Sequence, residues 1–458
     1  MRPVTVIAVV AFTLGWIASP ACAGSGADPT ARTDASDPAV AFVGVRVIPM
    51  DSERVLEDHT VIVRGERIVA VGPRGSTPVP EEATVIEGRG RYLLPGLAEM
   101  HGHVPPPDAP RHHLESVLFL YVANGITTVR GMLGWPGQLE LKERAASGEI
   151  VSPNLYLAGL SFNGNSVSSP AEADSKVRAQ AAEGWDLLKV HPGLTREEYD
   201  AMAAAANETG MRFGGHVPED VGLVHAIESG QETFDHIDGY EAHLGTFEGP
   251  IDEAELDEIV RLSRESGVWI VPTQILWETF YGTIPFEDLK ALPELAYAPP
   301  AQVEQWIAAH EQRLADPEFD LDESRRIVEA RMRILGALHD GGVRILMGTD
   351  APQQFSVPGF SLHREIDRMT EAGMSPYEVL ATGTRNVGEY FSNEDDFGTV
   401  EAGKRADLLL LGANPLEDVG NVARVEGVMV AGRWWSKAEI DARLGEVEAG
   451  YAREATGS

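Results

Sequence analysis

His101 and His103 stand two residues apart at the end of an apolar run, 93–103. Residues i and i+2 of a β-strand share a face, so two imidazoles at that spacing can grip one metal ion. A lone His-x-His is more often incidental than ligating. Other residues shift that balance: Lys189 lies near the end of run 186–191, His216 follows Gly214-Gly215, His236 follows Asp235, and Asp350 closes Gly348-Thr349-Asp350. Four imidazoles, one amine and one carboxylate, each at the end of a strand-like run, form a set suited to divalent metal if one scaffold gathers those ends.

The intervening pattern supplies the scaffold. Short apolar runs at 93–103, 126–130, 154–160, 186–191, 211–217, 233–238, 268–273 and 343–350 read as strands and alternate with helical segments. Thr195 with Glu198 and Ser375 with Glu378 are capping boxes that start two of the helices, the second with Pro376 at the first helical position. Strict alternation implies parallel strands, and eight of them close into a (β/α)₈ TIM barrel over 93–390, whose reactive groups gather at the C-terminal strand ends. Residues 274–322, rich in Pro, Trp and Tyr, are too long for an ordinary connection and read as a lid or substrate insertion. Residues 40–92 and 391–436 carry short β-branched runs between turn residues and predict one small β-sandwich built from both ends of the chain, with 437–458 an acidic tail or helix.

Length and charge bound the rest. The 458 residues suit one large and one small domain. A formal net charge of −34 repels phosphates and anionic headgroups, which excludes nucleic acid and acidic membranes as expected partners. Residues 1–23 read as a secretory signal, with Arg2, an apolar stretch and Ala21-Cys22-Ala23, and 24–39 read as a flexible tether. A periplasmic or secreted protein is expected, without an integral membrane span after processing. A lipoprotein anchored through Cys22, the only cysteine, is the alternative. A homo-oligomer remains open.

The motifs Leu94-Pro-Gly-Leu-Ala-Glu-Met-His-Gly-His103, Asp186-Leu-Leu-Lys189, Gly214-Gly-His216, Asp235-His236, Gly348-Thr-Asp350 and Gly403-Lys-Arg-Ala-Asp407 cover nearly all of the chain beyond the signal. In order and spacing the chain resembles the amidohydrolase superfamily, within its imidazolonepropionase-like and Xaa-Pro dipeptidase-like branch. One departure is Glu99, where that family commonly has Asp. The resemblance implies two divalent ions, usually zinc, bridged by a carbamate that Lys189 forms with CO₂. It places His101, His103 and Asp350 on the more buried ion and His216 and His236 on the more exposed one. It further implies attack on a carbonyl by a bridging water, with Asp350 taking the proton and returning it to the leaving amine. The other reading of Lys189 is a barrel ammonium paired to a carboxylate, which leaves a single metal.

Tyr240, four residues after His236, is a candidate for the scissile carbonyl or the tetrahedral intermediate, against a pocket-wall aromatic. His191, His243 and His363 are candidate substrate contacts, with packing roles as the alternative. Trp277, Phe280, Tyr281 and Trp306 either clamp an apolar substrate or pack the insertion. His59, His112, His113, His225, His310 and His339 read as surface or packing residues, and 403–407 as a hairpin without chemistry. The expected substrate is a small amide, a dipeptide or N-acyl amino acid. A cyclic-amide hydrolase, deaminase or lactonase is the alternative, and a non-catalytic barrel is disfavoured because every expected ligand position is filled.

Overall fold

Strand formation begins where alternation puts one set of side chains inside the barrel and the other against the helices. In the computed structural model, which describes residues 37–456, the barrel strands are β1 Leu97–Gly102, β2 Ile126–Gly131, β3 Asn154–Leu157, β4 Leu187–Val190, β5 Arg212–Gly215, β6 Thr233–Asp235, β7 Trp269–Val271 and β8 Arg344–Ile345. Every neighbouring pair within β1–β3 and within β4–β8 is parallel. The ring closes at two seams. Ala158 and Phe162 bridge to Leu187 and Val190 beyond β3, and beyond β8 Met100 N donates to Met347 O (2.8 Å) and Asp350 N to His101 O (2.7 Å).

Leu188, Val190, Phe234, Ile270 and Ile345 face outward into the main core with the helices. Their alternates point inward: Ala98, Met100, Tyr156, Trp269, Val271 and Leu346 pack with Tyr390, Phe391 and Phe397 in a separate apolar cluster. Both predicted capping boxes form, at Thr195 and Ser375.

The first run, read as one strand over 93–103, is cut at Pro95-Gly96. Tyr92–Pro95 pairs with Leu408–Leu411 in the outer sheet, Gly96 N donates to Asp407 O (2.9 Å), and β1 then enters the barrel. A strand that serves two sheets has to change hydrogen-bonding partners, and the break falls there.

Both end segments join in one eight-stranded sheet, in the order Arg433–Ser436, Val425–Val430, Leu408–Leu411, Tyr92–Pro95, Ala39–Val47, Leu56–Arg64, Arg67–Pro73, with Thr84–Glu87 also on Ala39–Val47. It encloses its own core of Phe42, Val45, Val61, Ile68, Leu408, Leu410 and Met429. Asp407, expected to do no chemistry, ties this sheet to the barrel by accepting from Asn154 Nδ2 (3.1 Å), Ala431 N (2.8 Å) and Arg405 Nε (2.6 Å).

The insertion is helical: Gln274–Phe280, Phe286–Lys290, a 3₁₀ turn Pro293–Tyr297 and Pro300–Leu314 precede the long helix Leu321–Asp340. The C-terminal segment is a helix, Lys437–Thr456, joined to Arg111–Ala123 through His113 Nδ1 and Tyr451 OH at 2.9 Å. Among the described residues no helix is long and apolar enough to cross a membrane. The predicted signal, Cys22 and nearly all of the predicted tether lie outside the described residues.

Candidate metal centre

The strand ends bring all six sequence-predicted ligands to one mouth. The nitrogen of His101, that of His103 and an oxygen of Asp350 lie within 4.8 Å of one another, the spread one metal ion can draw together. Asp350 Oδ1 is 2.5 Å from His103 Nε2 and 3.7 Å from His101 Nε2, while Oδ2 is 3.8 Å from His236 Nε2. The rings of His101 and His236 are 4.4 Å apart, and those of His236 and His216 4.5 Å. Lys189, fully buried, places Nζ 3.3 Å from His101 Nε2.

Non-glycine residues at this rim adopt left-handed backbone, among them His236 (φ 66°), Thr273 (φ 46°) and Asp350 (φ 63°). Each such residue costs of order 1 kcal/mol, and the cost is borne where the chain turns a side chain into the mouth. Two glycines clear the space. A Cβ on Gly215 would stand 2.5 Å from Val190 O and 2.9 Å from Lys189 Cδ, and one on Gly348 would stand 2.8 Å from His101 N.

Three of the four imidazoles have a neighbour at Nδ1, which leaves Nε2 for the centre. Thr273 Oγ1 is 2.8 Å from His236 Nδ1, and Asp238 Oδ2 is 2.5 Å from His216 Nδ1. Asp235 Oδ2 lies 2.8 Å from His101 Nδ1, a close approach at an angle outside good hydrogen-bond geometry. Asp235 is fully buried and held by Arg130, whose Nη2 donates to both carboxylate oxygens (3.0 and 3.2 Å). Burial alone would raise the Asp235 pKa, but the charges of Arg130 and Lys189 bring it below the usual carboxylate value. Burial, reinforced by neighbouring cations, holds His101 and His236 well below the ordinary imidazole value, so both offer lone pairs at neutral pH. Burial also lowers the Lys189 ammonium. This donor set, with neutral nitrogens turned inward, fits divalent metal.

Glu99 ties β1 to the segment after β8. Its Oε1 accepts from His101 N (3.1 Å) and Thr349 N (2.7 Å), and Oε2 is 2.6 Å from the Thr349 hydroxyl. Burial pushes this carboxyl up to about 8. The residue read only as a departure from the family pattern is thus a brace between the strand that carries His101 and the segment that carries Asp350.

The proposed substrate contacts divide. His191 does reach the site, stacked 5.2 Å from His216 with its Nδ1 2.6 Å from Ser161 Oγ. Tyr240 does not: the turn at Gly239 starts a short helix that rotates the side chain into the helical layer, where its hydroxyl meets Ser263 Oγ at 2.7 Å. His243 is exposed at the end of that helix, and His363 faces Asn124 Oδ1 (3.2 Å) between two helices, so neither belongs to the cluster. In the insertion, Trp277 approaches the His236 ring at 6.2 Å, whereas Trp306 packs on Phe355. Sequence reasoning assigned no role to Arg130, Asp235, Asp238 or Thr273. The first two carried a signal, since opposite charges inside two buried strands call for each other.

The amidohydrolase family profile matches residues 92–435, three quarters of the chain and every candidate ligand described above. The chain belongs to the amidohydrolase family. Membership places this amidohydrolase among hydrolytic enzymes that act on carbon–nitrogen bonds. It is 26% identical over 396 residues to an adenine deaminase of Chelativorans sp. (strain BNC1), covering 82% of this chain but only 54% of that protein's length. It is 23% identical over 455 residues to the ochratoxinase of Aspergillus niger, covering 85% of this chain and 84% of that one. Among solved structures, a Xaa-Pro dipeptidase with methionine bound in its active site superposes with a TM-score of 0.67 at 22% identity, over 87% of this chain and 100% of that one. The bottromycin amidohydrolase gives 0.72 at 24% identity, over 90% of each chain. These likenesses establish the shared fold.

Proposed function

We propose that this amidohydrolase cleaves the amide bond of a small substrate, a dipeptide or N-acyl amino acid, at a two-metal centre. The observation that carries the reading is the convergence of His101, His103, His216, His236, Lys189 and Asp350, with side-chain partners holding three of the rings. In this reading His101, His103 and Asp350 would hold one ion, His216 and His236 would hold the other, and Lys189, as its carbamate, would add an anionic oxygen donor to the site. The ions, zinc by preference, would supply acidification of a water and polarisation of the substrate carbonyl. Burial favours the neutral Lys189 amine that CO₂ requires, and the carbamate then offers two oxygens in place of an ammonium.

The chain's own groups account for the proton traffic. Asp350 spans the cluster, one oxygen toward His101 and His103 and the other toward His236. Its carboxylate takes a proton from the water as that oxygen bonds to the carbonyl carbon, and returns it to the nitrogen as the carbon–nitrogen bond breaks. Thr273, Asp238 and the Arg130–Asp235 pair keep the imidazoles in place throughout.

The test is turnover by metal-loaded protein across dipeptides, N-acyl amino acids, imidazolones, lactones and adenine. Amide hydrolysis that disappears in Asp350→Asn, with folding retained, is expected. The match to adenine deaminases favours a second reading, deamination of a heterocyclic amine, and ammonia release from adenine with no amide turnover would select it. The N-terminal pattern supports export of the enzyme, checked by N-terminal sequencing of the mature protein.

A further inference from the structure

Trp277 carries a polar group that packing alone does not explain. Its helix, Gln274–Phe280, starts immediately after Thr273, the residue whose hydroxyl orients His236. The helix is anchored: the backbone N–H groups of Gln274 and Ile275 both donate to the buried Glu365 carboxyl, at 2.9 Å each. The Trp277 ring meets the His236 ring at 6.2 Å and 64°, and the Arg331 guanidinium lies 4.9 Å from its centroid. Arg331 is itself fully engaged. It donates to Gln274 Oε1 (3.0 Å), the Glu241 carboxylate and His236 O (2.7 Å), so it clamps the indole and is not free to bind anything else.

The indole Nε1 is buried and has no hydrogen-bond partner among the described residues. An unpaired buried N–H loses its hydration for nothing, and a ring kept only to cover His236 would fit as well without it. A cation over the indole face also polarises the N–H toward an acceptor. Of the nearby carboxylates, Glu241 pairs through Oε2 with Arg331, and Asp238 Oδ2 lies 2.5 Å from His216 Nδ1.

We propose that the Trp277 indole N–H is a substrate-binding donor that holds the α-carboxylate of the leaving amino acid. This rests on the amide-hydrolase reading above, which gives the leaving group that carboxylate. The insertion then acts as a specificity element: one face of its first helix reaches the metal centre and selects amides of amino acids over amides of simple amines.

The test compares wild type with Trp277→Phe, both metal-loaded, on N-benzoylglycine and on N-benzoylmethylamine, which lacks the carboxylate. Loss of a hydrogen bond to a charged acceptor is expected to raise KM about tenfold or more for the first substrate, with kcat little changed and the second substrate unaffected. Metal content is expected to hold and the melting temperature to stay level or rise, because the orphaned donor is gone. An equal KM effect on both substrates, no effect on either, or a fall in melting temperature with metal loss would each overturn the assignment in favour of simple packing. Should the Phe variant fail to fold, β-(3-benzothienyl)alanine at position 277 keeps the ring shape and removes only the N–H. If wild type hydrolyses neither substrate, the amide reading fails on its own. Calorimetric affinity for N-benzoylglycine, weakened in the variant or not, still decides the role of Trp277.

Discussion

Replacing Arg130 by Met keeps a long apolar stem and removes the guanidinium that faces Asp235. Both side chains are fully buried. The variant loses two hydrogen bonds to the carboxylate, one to Met100 O (2.6 Å), one to Thr233 Oγ1 (3.0 Å) and one to Tyr390 OH (3.3 Å). Breaking a buried ion pair by removing one partner costs about 3–5 kcal/mol. With an unfolding entropy of roughly 0.9 kcal/mol per kelvin for a chain of this size, the melting temperature falls by about 3–6 °C. Asp235 also lies 2.8 Å from His101 Nδ1, so metal affinity falls with it, by about 10–100-fold.

The pH dependence has a definite sign. In wild type the Asp235 pKa is lowered in the fold, so its contribution is complete above the unfolded value and disappears as pH falls through the folded one. Without Arg130, burial raises that pKa, and the charged carboxylate destabilises the variant as pH rises. The gap in melting temperature is therefore widest near neutrality and narrows in acid. Differential scanning calorimetry over a pH series, with metal competition titration, measures both effects. A variant melting within 1 °C of wild type at every pH, with unchanged metal affinity, would refute the role given to this pair.

Three further expectations can be checked in the same protein. In chelator-treated samples Glu99→Gln reproduces the neutral acid between His101 N and Thr349. A carboxyl raised to about 8 contributes stability that is complete below its unfolded pKa and lost as pH climbs toward 8, so the variant matches wild type at pH 5 and melts above it at pH 9. Thr273→Val frees His236 Nδ1 and lowers metal affinity about 10–100-fold with the fold intact, read by competition with a chromogenic chelator. Gly215→Ala drives a methyl against Val190 O and the Lys189 stem, and reduces soluble yield and metal loading.

What the sequence disclosed and what it hid follow physical lines. The eight barrel strands are legible because burial on both faces writes short continuous apolar runs, and the ligands because metal chemistry admits few residue types at strand ends. The capping boxes at Thr195 and Ser375 are local and form as read. The cut at Pro95-Gly96 was hidden because two strands of different sheets adjoin without a polar gap. Tyr240 was misplaced because spacing from His236 says nothing of direction once the chain passes through left-handed residues at His236, Ile237 and Gly239. Asp238 and Thr273 escaped for the same reason: their contacts depend on backbone turns that no side-chain pattern announces. Trp277 and Trp306 look alike in sequence, and only the packing sends one to His236 and the other to Phe355.

We propose a two-metal centre that includes Lys189, and metal stoichiometry tests it most directly. Protein prepared with zinc and bicarbonate, desalted and analysed by plasma mass spectrometry, is predicted to carry two ions per chain, falling to one or none in Lys189→Ala. No bound metal in wild type, or two ions retained in Lys189→Ala, would contradict the account.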